Sequence, residues 1–266
     1  MNNIIANFDQ IVEFASSYGL PVNKKRAIIR EYLQVKILDL IYKEALGLDL
    51  IFVGGTSLRL IRNLDRFSED LDFDLNNVAP ESLDKLMKKI SKELKNENVD
   101  HDFYRNKTQK RAYYEFRFGG LFYDLKLKAD LQEKLTIKFD FENFWKGHKK
   151  EVVLLNRYGY LVNVITIPLS QHLIQKITAY TRRSQTQARD IYDIVWLISQ
   201  NTKPDWDFAR SNDIDMAIVD QAVNKFSTES KKIKGFKNRL KPFLFDEKHV
   251  AKLDFAFDLL TKIKDE

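Results

Sequence analysis

The chain contains no cysteine among its 266 residues. Disulfide staples and thiolate chemistry are therefore excluded, and the absence fits a reducing compartment. No apolar run approaches the ~18 residues of a membrane-spanning helix. The opening stretch "MNNIIANFDQIVEF" lacks a basic segment followed by an apolar one, so no secretory signal is expected. The protein is expected in the cytoplasm, with no membrane partner. Internal repeats and low-complexity linkers are missing too. The four histidines, His101, His148, His172 and His249, are scattered without metal-ligand spacing and receive no catalytic role. There is no G-x-x-x-x-G-K-[ST] loop and no set of protein-kinase motifs, which removes two common phosphate chemistries.

What is present is a large apolar inventory. Hydrophobic residues make up 44% of the chain and aromatic residues 12%, enough for a core and too much for disorder. The net charge of +6 permits a polyanionic partner, though a lysine-rich proteome gives the same balance.

Apolar periodicity divides the chain by element type. From Ile4 to about Glu44 it is helical, interrupted at "SSYGLPVNK" by Gly19 and Pro21. "LIFVGG" reads as a buried strand, "TSLRLIRN" as a short helix and "SEDLDFDL" as a strand. "PESLDKLMKKISKEL" is an amphipathic helix with Pro80 at its start. From about Val99 to Ile167 the segments "HDFYRN", "RAYYEFRF", "FYDLKLKADL", "LTIKFDFE", "EVVLL" and "LVNVITI" predict strands. Helical patterns return in "LSQHLIQKITAYTRR", "QARDIYDIVWLIS", "IDMAIVDQAVNKF" and "VAKLDFAFDLLTKI". This is an α+β plan. The switch near Ile167 predicts a mixed α/β part over residues 1–167 and a helical part over residues 168–266.

One segment carries chemistry. In "SEDLDFDL", Asp70, Asp72 and Asp74 fall on one face and Leu71, Phe73 and Leu75 on the other. Aspartate is depleted in strands, and like charges on one face repel. Carboxylate oxygens at this spacing suit hard divalent ions such as Mg²⁺, or Mn²⁺ in its place. Upstream, Gly54 and Gly55 follow a strand and precede a helix, where backbone can approach a phosphate and Thr56 and Ser57 add hydroxyls. Glycines for a triphosphate and acids for its metals describe nucleotidyl or phosphoryl transfer, with an NTP as substrate. The order is similar to the polymerase-β type of nucleotidyltransferase: an apolar residue and two glycines (Val53-Gly54-Gly55), a spacer, then Asp70-Leu71-Asp72-Phe73.

Such sites need a third carboxylate from a neighbouring strand. Asp140 in "LTIKFDFE" is the first choice, Asp130 the runner-up and Asp124 the third. In the helical part, Lys176 could reach a triphosphate, and Asp193 or Asp190, one face of the next helix, could orient it or accept a proton. An interhelix salt bridge explains the same residues. Arg59 or Arg66 could add positive charge near phosphate, or Arg66 could brace the aspartate strand.

Taken together, "GGTSL", "RFSEDLDF" with Arg66, Ser68, Asp70 and Asp72, "IKFDF", and "QKITA" with "RRSQTQARDIYDI" resemble the AbiEii/AbiGii-like nucleotidyltransferases, toxins of type IV toxin–antitoxin and phage abortive-infection systems. The resemblance implies a polymerase-β-like core with a mixed sheet and flanking helices, then a helical C-terminal domain. It implies Mg²⁺-dependent transfer of a nucleoside monophosphate from an NTP, with release of pyrophosphate. The acceptor class it implies is the tRNA 3′ end, which would block translation, and the partner an AbiEi-type winged-helix antitoxin. By carry-over, Gly54, Gly55, Thr56, Ser57, Arg66, Ser68 and Lys176 would contact nucleotide. Asp70, Asp72 and Asp140 would hold metal, and Lys176 and Asp193 would form the helical catalytic pair. Transfer to a protein hydroxyl or a small molecule such as an aminoglycoside, or nucleotide binding without turnover, are the alternatives.

An RNA acceptor calls for basic surface. Residues 225–241 carry Lys225, Lys231, Lys232, Lys234, Lys237, Arg239 and Lys241 against Glu229. Phe236 within it could stack on an unpaired base. Lys107, Lys110 and Arg111 form a smaller cluster, and Arg182 and Arg183 another.

Overall fold

A computed structural model describes residues 3–107, 112–127, 130 and 132–265, with backbone alone at 106, 107, 112, 264 and 265. The chain divides into two compact units. The first holds the chain up to Ile61, Phe67–Phe144 and Val152–Thr166. The second holds Arg62–Arg66, Trp145–Glu151 and the chain from Ile167 onward. Among the described residues no helix is long and apolar enough to cross a membrane.

The first unit starts with helices α1 (Asn3–Ala6), α2 (Phe8–Ser17) and α3 (Lys25–Tyr42). Strand β1 (Leu50–Val53) runs directly into α4 (Gly54–Arg62). Then follow β2 (Leu71–Leu75), α5 (Pro80–Asn96), β3 (Asp102–Lys107), β4 (Ala112–Gly119), α6 (Leu121–Asp124) and β5 (Lys134–Glu142). Strands β6 (Glu151–Arg157) and β7 (Tyr160–Thr166) form a separate two-stranded sheet. The main sheet has the order β1-β2-β5-β4-β3. All its pairings are antiparallel except β2 with β5, which is parallel. A parallel pair needs a crossover rather than a hairpin, and α5, β3 and β4 lie between the two strands in the chain.

Period-two alternation gives this sheet one apolar face. Phe73 stacks on Phe141 with ring centroids 5.2 Å apart, Phe116 meets Phe139 at 4.9 Å, and Phe52 meets Phe73 at 5.5 Å. Helix α5 packs on this layer through Leu83, Leu86, Met87, Ile90 and Leu94, and Tyr114 of β4 donates its hydroxyl to Asp84. Helix α3 is buried on all sides, which is why its apolar residues do not confine themselves to one stripe. Its buried polar groups are each matched. Glu31 binds Arg59, Gln34 donates to the carbonyls of Ser68 and Glu69, and Lys36 binds Glu97 and the Tyr160 hydroxyl.

The second unit contains α7 (Leu169–Arg182), α8 (Ala188–Ser199), α9 (Trp206–Arg210), α10 (Ala217–Glu229), α11 (Ile233–Leu240) and α12 (Ala256–Asp265). Two outlying segments join it for chemical reasons. Asp65 accepts hydrogen bonds from Tyr192 and Lys252, and Phe245 donates its backbone N–H to the Asp65 carbonyl. Trp145 stacks on Phe208 at 5.2 Å, while Lys146 and Asn212 exchange two hydrogen bonds.

Three expectations change. "FYDLKLKADL" is not a strand: Gly120 adopts φ 71°, and the chain turns into α6. "SEDLDFDL" is strand only from Leu71, so Asp70 stands just ahead of the sheet. "VAKLDFAFDLLTKI" is split, with a 3-10 helix over Glu247–Phe255 leading into α12.

The Glu31–Arg59 pair is almost fully buried, with a 2.9 Å contact, and the Tyr158 hydroxyl also donates to Glu31. Removing one partner of such a pair strands the other charge in low dielectric. Glu31→Ala is expected to destabilise the protein by about 3–5 kcal/mol in urea denaturation. A loss under about 1 kcal/mol would mean the pair behaves like a surface ion pair.

Candidate active site

The acids sit where the parallel pair forms. In the β2–β5 register, Asp72 is directly opposite Asp140. Neighbouring strands lie about 4.8 Å apart, and opposed residues point to the same face. Like charges directly opposite each other on a sheet are destabilising. The opposite face of the same strands is filled by Leu71, Phe73, Phe139 and Phe141, all buried. The hydrophobic underside therefore fixes the register, and the register sets the acids side by side. Asp70 lies just before β2 and is half-buried; Asp74, on the same face as Asp72, is buried. Asp130 lies outside the sheet and accepts the backbone N–H of Gln132, and Asp124 closes α6.

Gly54 is explained by contact. Its φ is +76°, and a Cβ at this position would fall on the carboxylate of Asp72. Only glycine lets the first residue of α4 pass that close to the acid. The N-terminus of α4 thus lies beside Asp72. Gly55 is buried behind it.

The hydroxyls expected to contact phosphate are directed inward. Thr56 is fully buried and donates to the backbone carbonyl of Asp70. Thr166 donates to the carbonyl of Phe52, so Ser57, 2.9 Å away, is the donor to Thr166. These bonds tie α4 to its neighbours. Ser68 accepts from Gln34 at its carbonyl.

In the second unit, Asp193 is the centre of a buried ion cluster. Arg66 holds it through two parallel bonds of 2.7 Å, from Nε and from the second guanidinium nitrogen, and Lys176 approaches at 2.8 Å. Burial alone would raise the Asp193 carboxyl, but Arg66 and Lys176 hold it below the usual carboxylate range. The fork of the Arg66 guanidinium is thus engaged with Asp193. Asp190 is taken by Arg183. Arg59 is bound to Glu31.

Sequence reasoning missed two groups. The first is Tyr113 and Glu115 on β4, where Tyr113 is opposite Asp140. The alternation of Tyr113, Glu115 and Arg117 in "AYYEFRF" marks the shared face. The second is His172 on α7, whose two ring nitrogens are buried with no hydrogen-bond partner among the described residues. No sequence signal distinguishes it from an ordinary core histidine. The basic segment is mixed. Lys231, Lys232, Lys234 and Arg239 are exposed, whereas Lys237 pairs with Asp254 and Lys225 donates to two carbonyls. Phe236 is 2% exposed, packed into the helical core, and does not present a ring for stacking. The side chains of Lys107, Lys110 and Arg111 lie outside the described residues.

Among the described residues, no three His, Asp or Glu side chains gather closely enough to enclose a metal. Mg²⁺ does not require such a cage, because it commonly binds through one or two carboxylates together with substrate phosphates. Two opposed oxygen donors beside a helix N-terminus fit that mode.

Burial pushes the His172 imidazole down to about 3, helped by Lys176 and Arg62 and opposed by Asp193. The unfolded chain takes up a proton near pH 6.5, while the folded one does not. The stability contribution is present above pH ~6.5 and is lost as pH falls towards about 3. The unfolding free energy is expected to drop between pH 7 and 5, with a slope approaching ~1.4 kcal/mol per pH unit. His172→Phe should flatten that slope in urea titrations; an unchanged slope would assign it to other groups.

Residues 36–258 match the family described as nucleotidyl transferase AbiEii toxin, Type IV TA system. None of the curated proteins matches the chain. Among solved structures, JHP933 from Helicobacter pylori is similar at a TM-score of 0.54 and 18% identity, covering 90% of this chain and 94% of that one. A putative nucleotidyltransferase from H. pylori is similar at 0.53 and 19% identity, covering 86% of this chain and 94% of that one. MenT4, a nucleotidyltransferase toxin from Mycobacterium tuberculosis, follows at 0.52 and 18% identity, covering 89% and 84%. At these identities the structural likeness speaks for the fold. With the opposed acids, the glycine turn and a family match over most of its length, the chain belongs to the AbiEii nucleotidyltransferase toxins.

Proposed function

We propose that this nucleotidyltransferase transfers a nucleoside monophosphate from an NTP to the 3′ end of tRNA in a Mg²⁺-dependent reaction. The observation that carries the reading is the opposition of Asp72 and Asp140 beside the Gly54 turn. Asp72 and Asp140, with Asp70 ahead of the strand, would hold the cation. When bound, a divalent ion there stabilises charge on the phosphates and lowers the pKa of the attacking hydroxyl. The N-terminal backbone of α4 binds the triphosphate, and Gly54 keeps that backbone against Asp72. A terminal ribose oxygen forms the new bond to the α-phosphorus, the bond to the β-phosphate oxygen breaks, and pyrophosphate leaves. The proton of the hydroxyl passes to a carboxylate of the acidic face. We assign Lys176 to the reaction together with Asp193, with Arg66 holding Asp193 ionised and oriented. An antitoxin partner is part of this reading, as the family's toxin–antitoxin setting implies.

The reading is tested by incubating the protein with total tRNA, Mg²⁺ and each α-³²P NTP. Label on tRNA is expected, reduced at least about a hundredfold by Asp72→Asn. Label on protein or on a small acceptor instead would move the acceptor while keeping the acids. Turnover unchanged in Asp72→Asn would sink the assignment.

Charge reversal at the exposed Lys231, Lys232 and Lys234 is expected to weaken tRNA labelling and flatten its dependence on salt. Labelling that keeps its salt dependence in the triple variant would remove this segment from the RNA contact.

A further inference from the structure

The acidic face continues beyond Asp140. Strand β4 pairs with β5 so that Tyr113 is opposite Asp140 and Glu115 opposite Lys138. On the far side, edge strand β3 places Tyr104 opposite Glu115. All these positions share one face of the sheet, the one turned away from α5. Glu115 joins them: one carboxylate oxygen accepts the Tyr113 hydroxyl, and the other accepts Arg117 Nε at 2.5 Å. The Arg117 guanidinium lies over the Tyr104 ring, 4.6 Å from its centre. Burial would raise the Glu115 carboxyl, but these two donors hold it low, so it is a fixed acceptor. Burial and Glu115 raise the Tyr113 phenol, and Asp140 and Asp70 add to this, which puts Tyr113 within the field of the acids.

The result is an ordered row of side chains, Tyr113–Glu115–Arg117–Tyr104, leading from the acids to the sheet edge. Burial decreases outward from Glu115. Glu115 is buried, Arg117 is half-buried and Tyr104 is 44% exposed. Lys138 and Lys134 are exposed on the same face. An exposed ring, a guanidinium plane and flanking lysines suit unpaired bases joined by phosphates. A duplex offers no base faces to such a surface, whereas RNA-binding sheets stack two or three splayed bases this way.

We propose that this sheet face is the platform for the single-stranded 3′ end of the RNA acceptor, with Tyr104 and Arg117 stacking its last unpaired bases and leading the terminal ribose to the acids. The proposal rests on the RNA-acceptor reading above.

The test is fluorescence anisotropy with an RNA hairpin bearing a short single-stranded 3′ overhang, beside the same hairpin with a blunt end. The wild-type protein is expected to prefer the overhang. Tyr104→Ala and Arg117→Ala should each weaken overhang binding about tenfold while leaving blunt binding in place. Tyr104→Phe should keep the preference, which a merely structural disturbance at β3 would not. Overhang binding unchanged in both alanine variants would overturn the platform, even where the wild type labels tRNA. Variants that raise the KM for NTP without altering overhang binding would also overturn it, giving the face to the nucleotide. A wild-type protein that neither labels tRNA nor binds either hairpin would instead remove the RNA-acceptor reading, and the platform with it.

Discussion

The parallel pairing of β2 with β5 is the constraint on which the candidate site depends. Every other ladder in the main sheet is antiparallel. In this one, Phe73 meets Phe141 on one side of the sheet and Asp72 meets Asp140 on the other. A slip by one residue would expose the aromatics and bury the acids, so the core that stabilises the fold also sets the two carboxylates opposite each other. Gly54 belongs to the same constraint, since the backbone gives up a side chain to make room for the Asp72 carboxylate.

Buried polar groups in both units are handled in a common way: a charge or hydroxyl is removed from water only with its partners provided. Glu31 with Arg59, and Asp193 with Arg66 and Lys176, are buried ion pairs whose members come from distant parts of the chain. Thr56, Ser57 and Thr166 spend their hydroxyls on the strands that flank α4. His172 departs from this pattern, and its imidazole remains neutral at the cost of proton affinity. The helix after the glycine turn is thus fastened by its own hydroxyls.

Local pattern was the legible part. The alternation through Leu71–Leu75, the glycines after β1 and the strand that carries Asp140 all follow from period two and from which residues end a strand. "FYDLKLKADL" shows the limit, because its alternation imitates a strand while the left-handed turn at Gly120 redirects the chain. Phe236 shows another. Its basic neighbours suggested a contact surface, yet Phe236 and Leu240, one turn apart on α11, face the core together. The bond between Arg66 and Asp193 could not be read from spacing, since it joins residues from opposite halves of the chain. Tyr113 and Glu115 became visible only once the register placed their strand beside Asp140.

The distance along the chain between Asp72 and Asp140 has a consequence for biogenesis. A ribosome releasing this polypeptide delivers β2 well before β5, and contacts of such separation close late because loop closure must come first. Until residue 142 has cleared the exit tunnel, the nascent chain holds at most half of its acid pair. The facing acids therefore come together only after the strand that carries the second of them has emerged and found its parallel partner.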